Sequence, residues 1–151
     1  MELLPCGVAA ITGGAGFVGM RLAQKLAAAG QSVVLLDLRP PAPGWQNRFS
    51  AEVLAKDANV QSYGISGQDS QNGGAGGFPS QAKVSFRQAD LRRLGDLLAG
   101  FQGVDTVYHV ASFGMSGAES LAQADLIYSI NVQGTHNVIQ ACTACSVKRL
   151  V

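Results

Sequence analysis

Residues 7 to 37 hold a complete supersecondary unit, and no other stretch restricts the fold of this chain as much. Gly7-Val8-Ala9-Ala10-Ile11-Thr12 is a continuous apolar run bounded by turn residues, the pattern of a strand covered on both faces. Gly13 to Gly16 supply a turn. Phe17 to Ala29 then read as a helix, with Val18, Leu22 and Leu26 recurring every four residues and Arg21, Gln24 and Lys25 on the other face. Gly30 stands where a glycine ends a helix, and Ser32 to Asp37 (SVVLLD) form a second buried strand. Strand, helix and strand in about thirty residues make a βαβ unit, whose strands lie parallel.

The pattern resumes downstream. Val84 to Gln88 predict a third strand with alternating faces, a short helix follows around Leu94 to Phe101, and Val104 to Val110 give a fourth strand. Glu119 to Cys145 read as one long helix or two abutting ones, striped by Ile127, Ile130, Gly134, Val138 and Ala141. Lys148 to Val151 look like the first step of a fifth strand. The expected fold class is α/β: a Rossmann-type, doubly wound parallel sheet, truncated in strand five.

Between Pro40 and Lys83 no periodicity is sustained. Ala51 to Ala58 suit a short helix, but SYGISGQDSQNGGAGGFPSQA has too few apolar residues to order itself. The segment at about 40–83 is expected to be a flexible insertion in a single domain spanning 1–151. Many of the 19 glycines fall either here or in the turn at 13–19, and only the second group demands a chemical reason.

Composition removes several functional classes. With 11 Lys+Arg against 10 Asp+Glu, a formal charge of +1 and no like-charge run beyond Arg92-Arg93, nothing suggests nucleic acid as a partner. No stretch supplies the ~20 apolar residues of a membrane helix, and the N-terminus has no basic residue before Arg21 as a secretory signal would. Cys142 and Cys145 match C-x-x-C but end a helix, and Cys6, His109 and His136 stand at no zinc-ligand spacing, so no metal is expected and buried thiols are the simpler reading.

In Thr12-Gly13-Gly14-Ala15-Gly16-Phe17-Val18-Gly19, three glycines stand at three-residue steps between strand and helix. Gly13 permits the tight turn, Gly16 lets backbone N–H groups approach a pyrophosphate, and Gly19 lets the helix lie close on the sheet. The helix N-terminus then offers unpaired donors and a partial positive charge to phosphates. Asp37, 18 residues after Gly19, ends the second strand. Its carboxylate would accept hydrogen bonds from the adenosine ribose and repel a 2′-phosphate, favouring NAD over NADP. Arg39 pulls the other way, because a guanidinium pairs with such a phosphate. The plainer alternative makes Asp37 a turn residue. Asp90 and Leu91, after the third strand, are placed to flank an adenine, unless Asp90 caps the next helix. At 109–112, HVAS ends the fourth strand with small residues that leave room for a ligand. His109 is better read as a buried, hydrogen-bonded ring than as a base.

Together these residues resemble the extended short-chain dehydrogenase/reductases. The resemblance is carried by TGGAGFVG at 12–19, Asp37, Asp90-Leu91, HVAS at 109–112 and Asn131-Val132-Gln133-Gly134-Thr135. VYHVASFGMSG (107–117), NVQGTHNV (131–138) and VKRLV (147–151) look most like the 3β-hydroxysteroid dehydrogenase/isomerase branch, and within it family 42E. The resemblance implies an oxidoreductase acting on a secondary alcohol, with a small-molecule substrate of sterol type held by a C-terminal part beyond these residues. It implies that Gly13, Gly16, Phe17, Val18 and Gly19 hold the pyrophosphate, that Asp37 meets the ribose (with Arg39 beside it, the candidate for a 2′-phosphate), that Asp90 and Leu91 flank the adenine, and that Val110, Ala111 and Ser112 line the nicotinamide side. Asn131 matches the family's helix asparagine, which supports the proton-relay water; a tethering hydrogen bond is the alternative. A non-catalytic dinucleotide-binding module and a nucleotide-sugar epimerase or reductase share the same N-terminal half.

One departure bears on catalysis. The family exchanges a proton through a tyrosine with a lysine four residues later, whereas Tyr63, Tyr108 and Tyr128 here are followed at that spacing by Gly67, Ser112 and Val132. These 151 residues are therefore expected to bind a dinucleotide without catalysing the reaction. An intracellular location is expected: cytoplasmic, or at the endoplasmic reticulum if the whole protein carries a C-terminal anchor as some relatives do.

Overall fold

A computed structural model describes residues 7–50, 82–114 and 123–151. Its strands are β1 (Val8–Thr12), β2 (Ser32–Asp37), β3 (Val84–Gln88), β4 (Thr106–His109) and β5 (Arg149–Leu150). They form one sheet in the order β3-β2-β1-β4-β5, every neighbouring pair parallel. The chain runs outward from β1 to one edge and then returns to the other side of β1. This reversal defines a doubly wound sheet and opens a crevice at the carboxyl ends of β1 and β4. The register sets Thr12 opposite Leu36 on one side and opposite His109 on the other, which brings the ends of three strands level.

The two faces of the sheet carry separate cores, as the period-2 alternation of strands requires. Ala9 and Ile11 of β1 and Val33 and Leu35 of β2 pack under α1 (Phe17–Ala28), against Met20, Ala23 and Leu26. Ala10, Leu36 and Val107 face the other way. They meet Leu97 of α2 (Leu94–Gly100), Phe101, and Val138 and Ala141 of a helix farther along the chain. Leu97, Phe101, Val107 and Val138 are fully buried, so truncating Leu97 to alanine is expected to cost roughly 2–5 kcal/mol.

The face of α1 differs from its sequence reading. Gly19, Met20, Ala23, Gln24, Leu26 and Ala27 are buried, while Val18 is 61% exposed and Gln24 sits inside, donating to the Arg48 carbonyl oxygen at 3.2 Å. Leu22 and Leu26 pack on the sheet as read, while close approach adds the small residues Gly19, Ala23 and Ala27 to the stripe and leaves Val18 outside it. A second difference lies in the stretch read as irregular. Trp45–Phe49 form one 3₁₀ turn whose two aromatic rings meet edge to face at 5.8 Å and lean on the α1-side core. The short helix expected at Ala51–Ala58 and the glycine-rich run after it lie outside the described residues.

The long helix is continuous but not uniform. α3 (Ala124–Tyr128) passes through a π-helical segment, Ser129–Gly134, into α4 (Thr135–Ala144); of the span read as helix, 119–122 lie outside the described residues. Gly134 lies where a Cβ would come within 2.9 Å of the Leu91 Cβ, so the helix presses directly on the β3–α2 connection. β4 is shorter than its sequence reading at both ends: it begins at Thr106, and from Val110 the chain forms one wall of the crevice.

Candidate functional site

The crevice is a cavity of about 600 Å³, within the range of small-molecule sites. Four segments surround it: Gly13, Gly16, Phe17, Val18 and Gly19 from the first turn, Asp37 and Arg39 from the end of β2, Asp90 and Leu91 after β3, and Val110, Ala111 and Ser112 after β4. Leu36, Leu38, Ala89, Arg92, Phe113 and Ile130 complete the lining.

The glycines of the turn answer to different constraints. Gly13 has φ +69°, and a Cβ on it would stand 2.8 Å from the Ala111 Cα, so the turn and the β4 wall touch backbone to backbone. At Gly19 a Cβ would overlap the Gly13 carbonyl oxygen and lie 2.7 Å from the Gly14 Cα, which ties the helix start to the turn. At Gly16 a Cβ would meet only the Gly13 carbonyl oxygen, at 3.2 Å, and otherwise open cleft. Packing therefore explains two of these glycines, whereas at the third a side chain would face the open cleft. Gly14, which the three-step spacing passes over, is as tightly held: its N–H donates to the Leu36 carbonyl oxygen at 3.0 Å, and a Cβ would come within 2.9 Å of the Leu35 Cα.

Gly16 is the N-cap of α1; no side chain caps it and the first turn carries no acid. The donors and the positive end of the helix dipole are thus left facing the cleft, the arrangement that a pyrophosphate requires. Phe17 is 84% exposed beside it.

Asp37 makes the contacts of a turn residue, and its carboxylate also borders the cleft. One carboxylate oxygen accepts from the Ala15 N–H at 3.1 Å and fastens the turn, while the other stands 3.5 Å from the Arg39 N–H. The carboxylate keeps lone pairs free toward the cleft that it lines.

Asp90 does not cap α2. Its Oδ1 accepts from the Arg92 N–H at 3.0 Å, and the Arg92 guanidinium grips both oxygens, Nη2 to Oδ2 at 2.6 Å. The side-chain hydrogen bond from Arg92 holds the Asp90 carboxyl below its usual range. Asp96 in the first turn of α2 instead accepts from the Asp90 N–H at 3.0 Å, because the pairing with Arg92 draws the Asp90 carboxylate away from the helix.

The opposite wall is held by side chains. Asn131 brackets Phe113, accepting from its N–H and donating to its carbonyl oxygen, both at 2.8 Å. Of the two sequence alternatives for Asn131, this geometry is the tether, and Asn131 does not line the cleft. His109 bridges two hydroxyls, Nδ1 to Thr12 Oγ1 at 2.7 Å and Nε2 to Thr135 Oγ1 at 2.8 Å, and burial pushes its pKa down. A neutral, doubly bonded ring is the structural histidine expected. Ser112 is exposed at the cleft. Cys142 is buried, and its thiol pKa is raised by burial and by Cys145. Among the described residues no cluster of His, Cys, Asp or Glu suits a metal, and no helix is long and apolar enough to cross a membrane.

Sequence reasoning missed Thr12, Arg92 and Thr135. A threonine four residues after Asn131 on one helix, facing a strand that ends in histidine, was the available signal for the third.

Comparison with known proteins defines the class. The NAD dependent epimerase/dehydratase family model matches residues 9–151, and the chain belongs to that family. Within it, the chain is 34% identical to the human short-chain dehydrogenase/reductase family 42E member 1 over 143 residues, 93% of this chain and 27% of that protein. It is 44% identical to an Arabidopsis thaliana 3beta-hydroxysteroid-dehydrogenase/decarboxylase, isoform 1, over 69 residues, 46% of this chain and 15% of that one. It thus spans about a quarter of the length of its 42E relatives, 27%. Among solved structures it resembles a UDP-glucose-4-epimerase from Stenotrophomonas maltophila with bound NAD and formylated UDP-arabinopyranose. The TM-score is 0.67 at 23% identity, over 95% of this chain and 35% of that one. A dTDP-glucose 4,6-dehydratase from Streptomyces venezuelae with bound NAD gives 0.62 at 22% identity, over 95% and 38%. At those identities the likeness is one of fold, the Rossmann-type sheet described above.

Proposed function

We propose that these residues form the dinucleotide-binding part of an oxidoreductase that prefers NAD to NADP and acts on a secondary alcohol, with a sterol as the substrate class. The observation that carries the reading is the junction of an uncapped helix N-terminus, a space-giving Gly16 and the Asp37 carboxylate in one cleft. The pyrophosphate would rest on the turn at 13–19 and the first N–H groups of α1. Asp37 would take the adenosine ribose hydroxyls; its charge disfavours a 2′-phosphate more than the exposed Arg39 attracts one. Leu91 would pack on the adenine, and Val110 to Ser112 would border the nicotinamide. The bound dinucleotide would supply the hydride acceptor.

What the chain itself does is bind, orient and exclude water. Asp90, engaged by Arg92, would meet an adenine amino group only at the expense of that pair. No Tyr-x-x-x-Lys occurs in these 151 residues, so a proton-transferring pair of that kind would have to come from outside them. The sterol preference rests on the 42E and 3beta-hydroxysteroid relatives, and an intracellular location is part of the same reading.

Calorimetric titration with NAD and NADP tests the proposal. NAD is expected to bind one to one and more tightly than NADP. Asp37→Ala is expected to weaken NAD about tenfold and to abolish the preference. Tighter NADP binding by the unaltered protein would reverse the cofactor assignment.

A further inference from the structure

The wall at 110–113 is fastened at two points that belong to different elements. At its start the Ala111 N–H donates to Thr12 Oγ1 at 3.4 Å, and the Val110 N–H to the Thr12 carbonyl oxygen at 3.3 Å. At its end Asn131 brackets the Phe113 backbone. The His109 ring stands between these two clamps, in contact with Thr12 on one side and with Thr135 on the other. The Thr135 hydroxyl in turn donates to the Asn131 carbonyl oxygen at 2.7 Å. An unbroken hydrogen-bonded path therefore runs from the end of β1, through β4, to the π-helical segment.

Counting hydrogens gives this path a direction. A carbonyl oxygen only accepts, so the Thr135 proton is committed to Asn131, and toward His109 the Thr135 oxygen accepts. Nε2 therefore carries a hydrogen. Thr12 is 0% exposed and its oxygen already receives the Ala111 N–H, so its own proton goes to His109 Nδ1. A ring protonated on both nitrogens would make Nδ1 a donor and strand the Thr12 proton in a dry interior. The desolvation of His109 favours the same neutral form.

We propose that His109 is a positioning residue: held as the neutral Nε2–H tautomer, it joins the Thr12 clamp to the Asn131 clamp and so fixes the 110–113 wall of the dinucleotide cleft. The ligand of the cleft rests on the function proposed above, whereas the linkage is a property of the free protein.

Two measurements test it. Long-range ¹H–¹⁵N correlation spectra of the free protein at neutral pH should show the Nε2–H tautomer at His109. The Nδ1–H form or an imidazolium overturns the proposal. The second measurement compares Thr135→Val, which keeps the side-chain shape but removes the acceptor, with Thr135→Ser, which restores it. The valine variant should speed amide exchange at Ala111 and Phe113 and weaken NAD about tenfold, and the serine variant should return both to within about twofold of the parent. Unchanged exchange and affinity in the valine variant overturn the proposal. If the parent protein binds no NAD, the functional reading falls, and the tautomer and exchange rates alone decide the role of His109. If the valine variant does not fold, the tautomer decides it.

Discussion

On one side of the cleft the wall is made of backbone; on the other it is held in place by side chains. The turn from Gly13 to Gly19 keeps its shape because there is no room for a Cβ at Gly13, Gly14 or Gly19. The segment from Val110 to Phe113 keeps its shape because Thr12, His109, Thr135 and Asn131 pair with it or with one another. The first wall is therefore intolerant of added atoms and the second of removed polar groups. Steric contact falls off over tenths of an ångström, whereas a lost hydrogen bond leaves a group that water can partly satisfy.

This contrast ranks the expected effects of substitution. The largest belongs to Gly19→Val, which forces the α1 start away from the Gly13 carbonyl. Overpacking costs about 1–3 kcal/mol and here, against backbone that cannot swing aside, should reach about 3 kcal/mol and abolish dinucleotide binding, as chemical denaturation and calorimetry would report. A Gly19→Val protein with parental stability would show that the turn is looser than described. Next comes Asn131→Ala, which removes both bonds to Phe113. A loss of about 1–3 kcal/mol is expected, together with faster amide exchange confined to residues 111–114. Exchange that also rises at Gly13–Gly19 would mean that the two walls are one cooperative unit.

A smaller effect follows from pH. The folded protein holds a second proton on His109 less readily than the unfolded chain does, because burial disfavours the charged ring. The unfolded state therefore binds more protons at mildly acidic pH. The stability contributed by the neutral ring is complete above an unfolded value of about 6.5 and drains away as pH falls through the lower folded value. His109→Gln should flatten that part of the stability profile. Asp90 and Asp105, held low by Arg92 and Lys148, act in the same direction but only below an unfolded value of 3.8, so the two windows separate. The smallest effect is expected from Gly16→Ala. Its Cβ meets little of the protein, so stability should change by less than about 1 kcal/mol while NAD binding weakens. Equal NAD affinity in Gly16→Ala would remove the reason given for that glycine.

The backbone wall was legible in the sequence; of the side-chain wall, the sequence pointed to the 110–112 lining, a hydrogen-bonded His109 and a tethering Asn131, but not to the partners that join them. Glycine spacing, the apolar runs at 8–12 and 32–37, and an acid at the end of the second strand are local signals, and each maps to one place in the fold. They were enough to anticipate parallel strands, the doubly wound sheet and the position of Asp37. The bonds of the other wall join residues separated by up to 99 positions, such as Thr12 and Ala111, and no local pattern encodes them. Arg92 taking the Asp90 carboxylate is a competition between two local options that only geometry resolves. The buried Gln24 shows the same limit: its apolar stem is covered by α1 packing and its amide is satisfied by a carbonyl in the Trp45–Phe49 turn, 24 residues away. Helical periodicity found Leu22 and Leu26 of the α1 stripe but included the exposed Val18 and passed over Gly19, Ala23 and Ala27, because it weighs large apolar residues while close packing on the sheet also selects small ones.

The most direct test of the account is a map of amide chemical-shift changes as NAD is added to the protein. Saturable changes are expected at Gly13–Gly19, Asp37, Asp90–Leu91 and Val110–Ser112, with little at the groove formed by Tyr128, Val132 and His136 on the outer face of the long helix. Changes centred on that outer groove, or no saturable change at all, would contradict it.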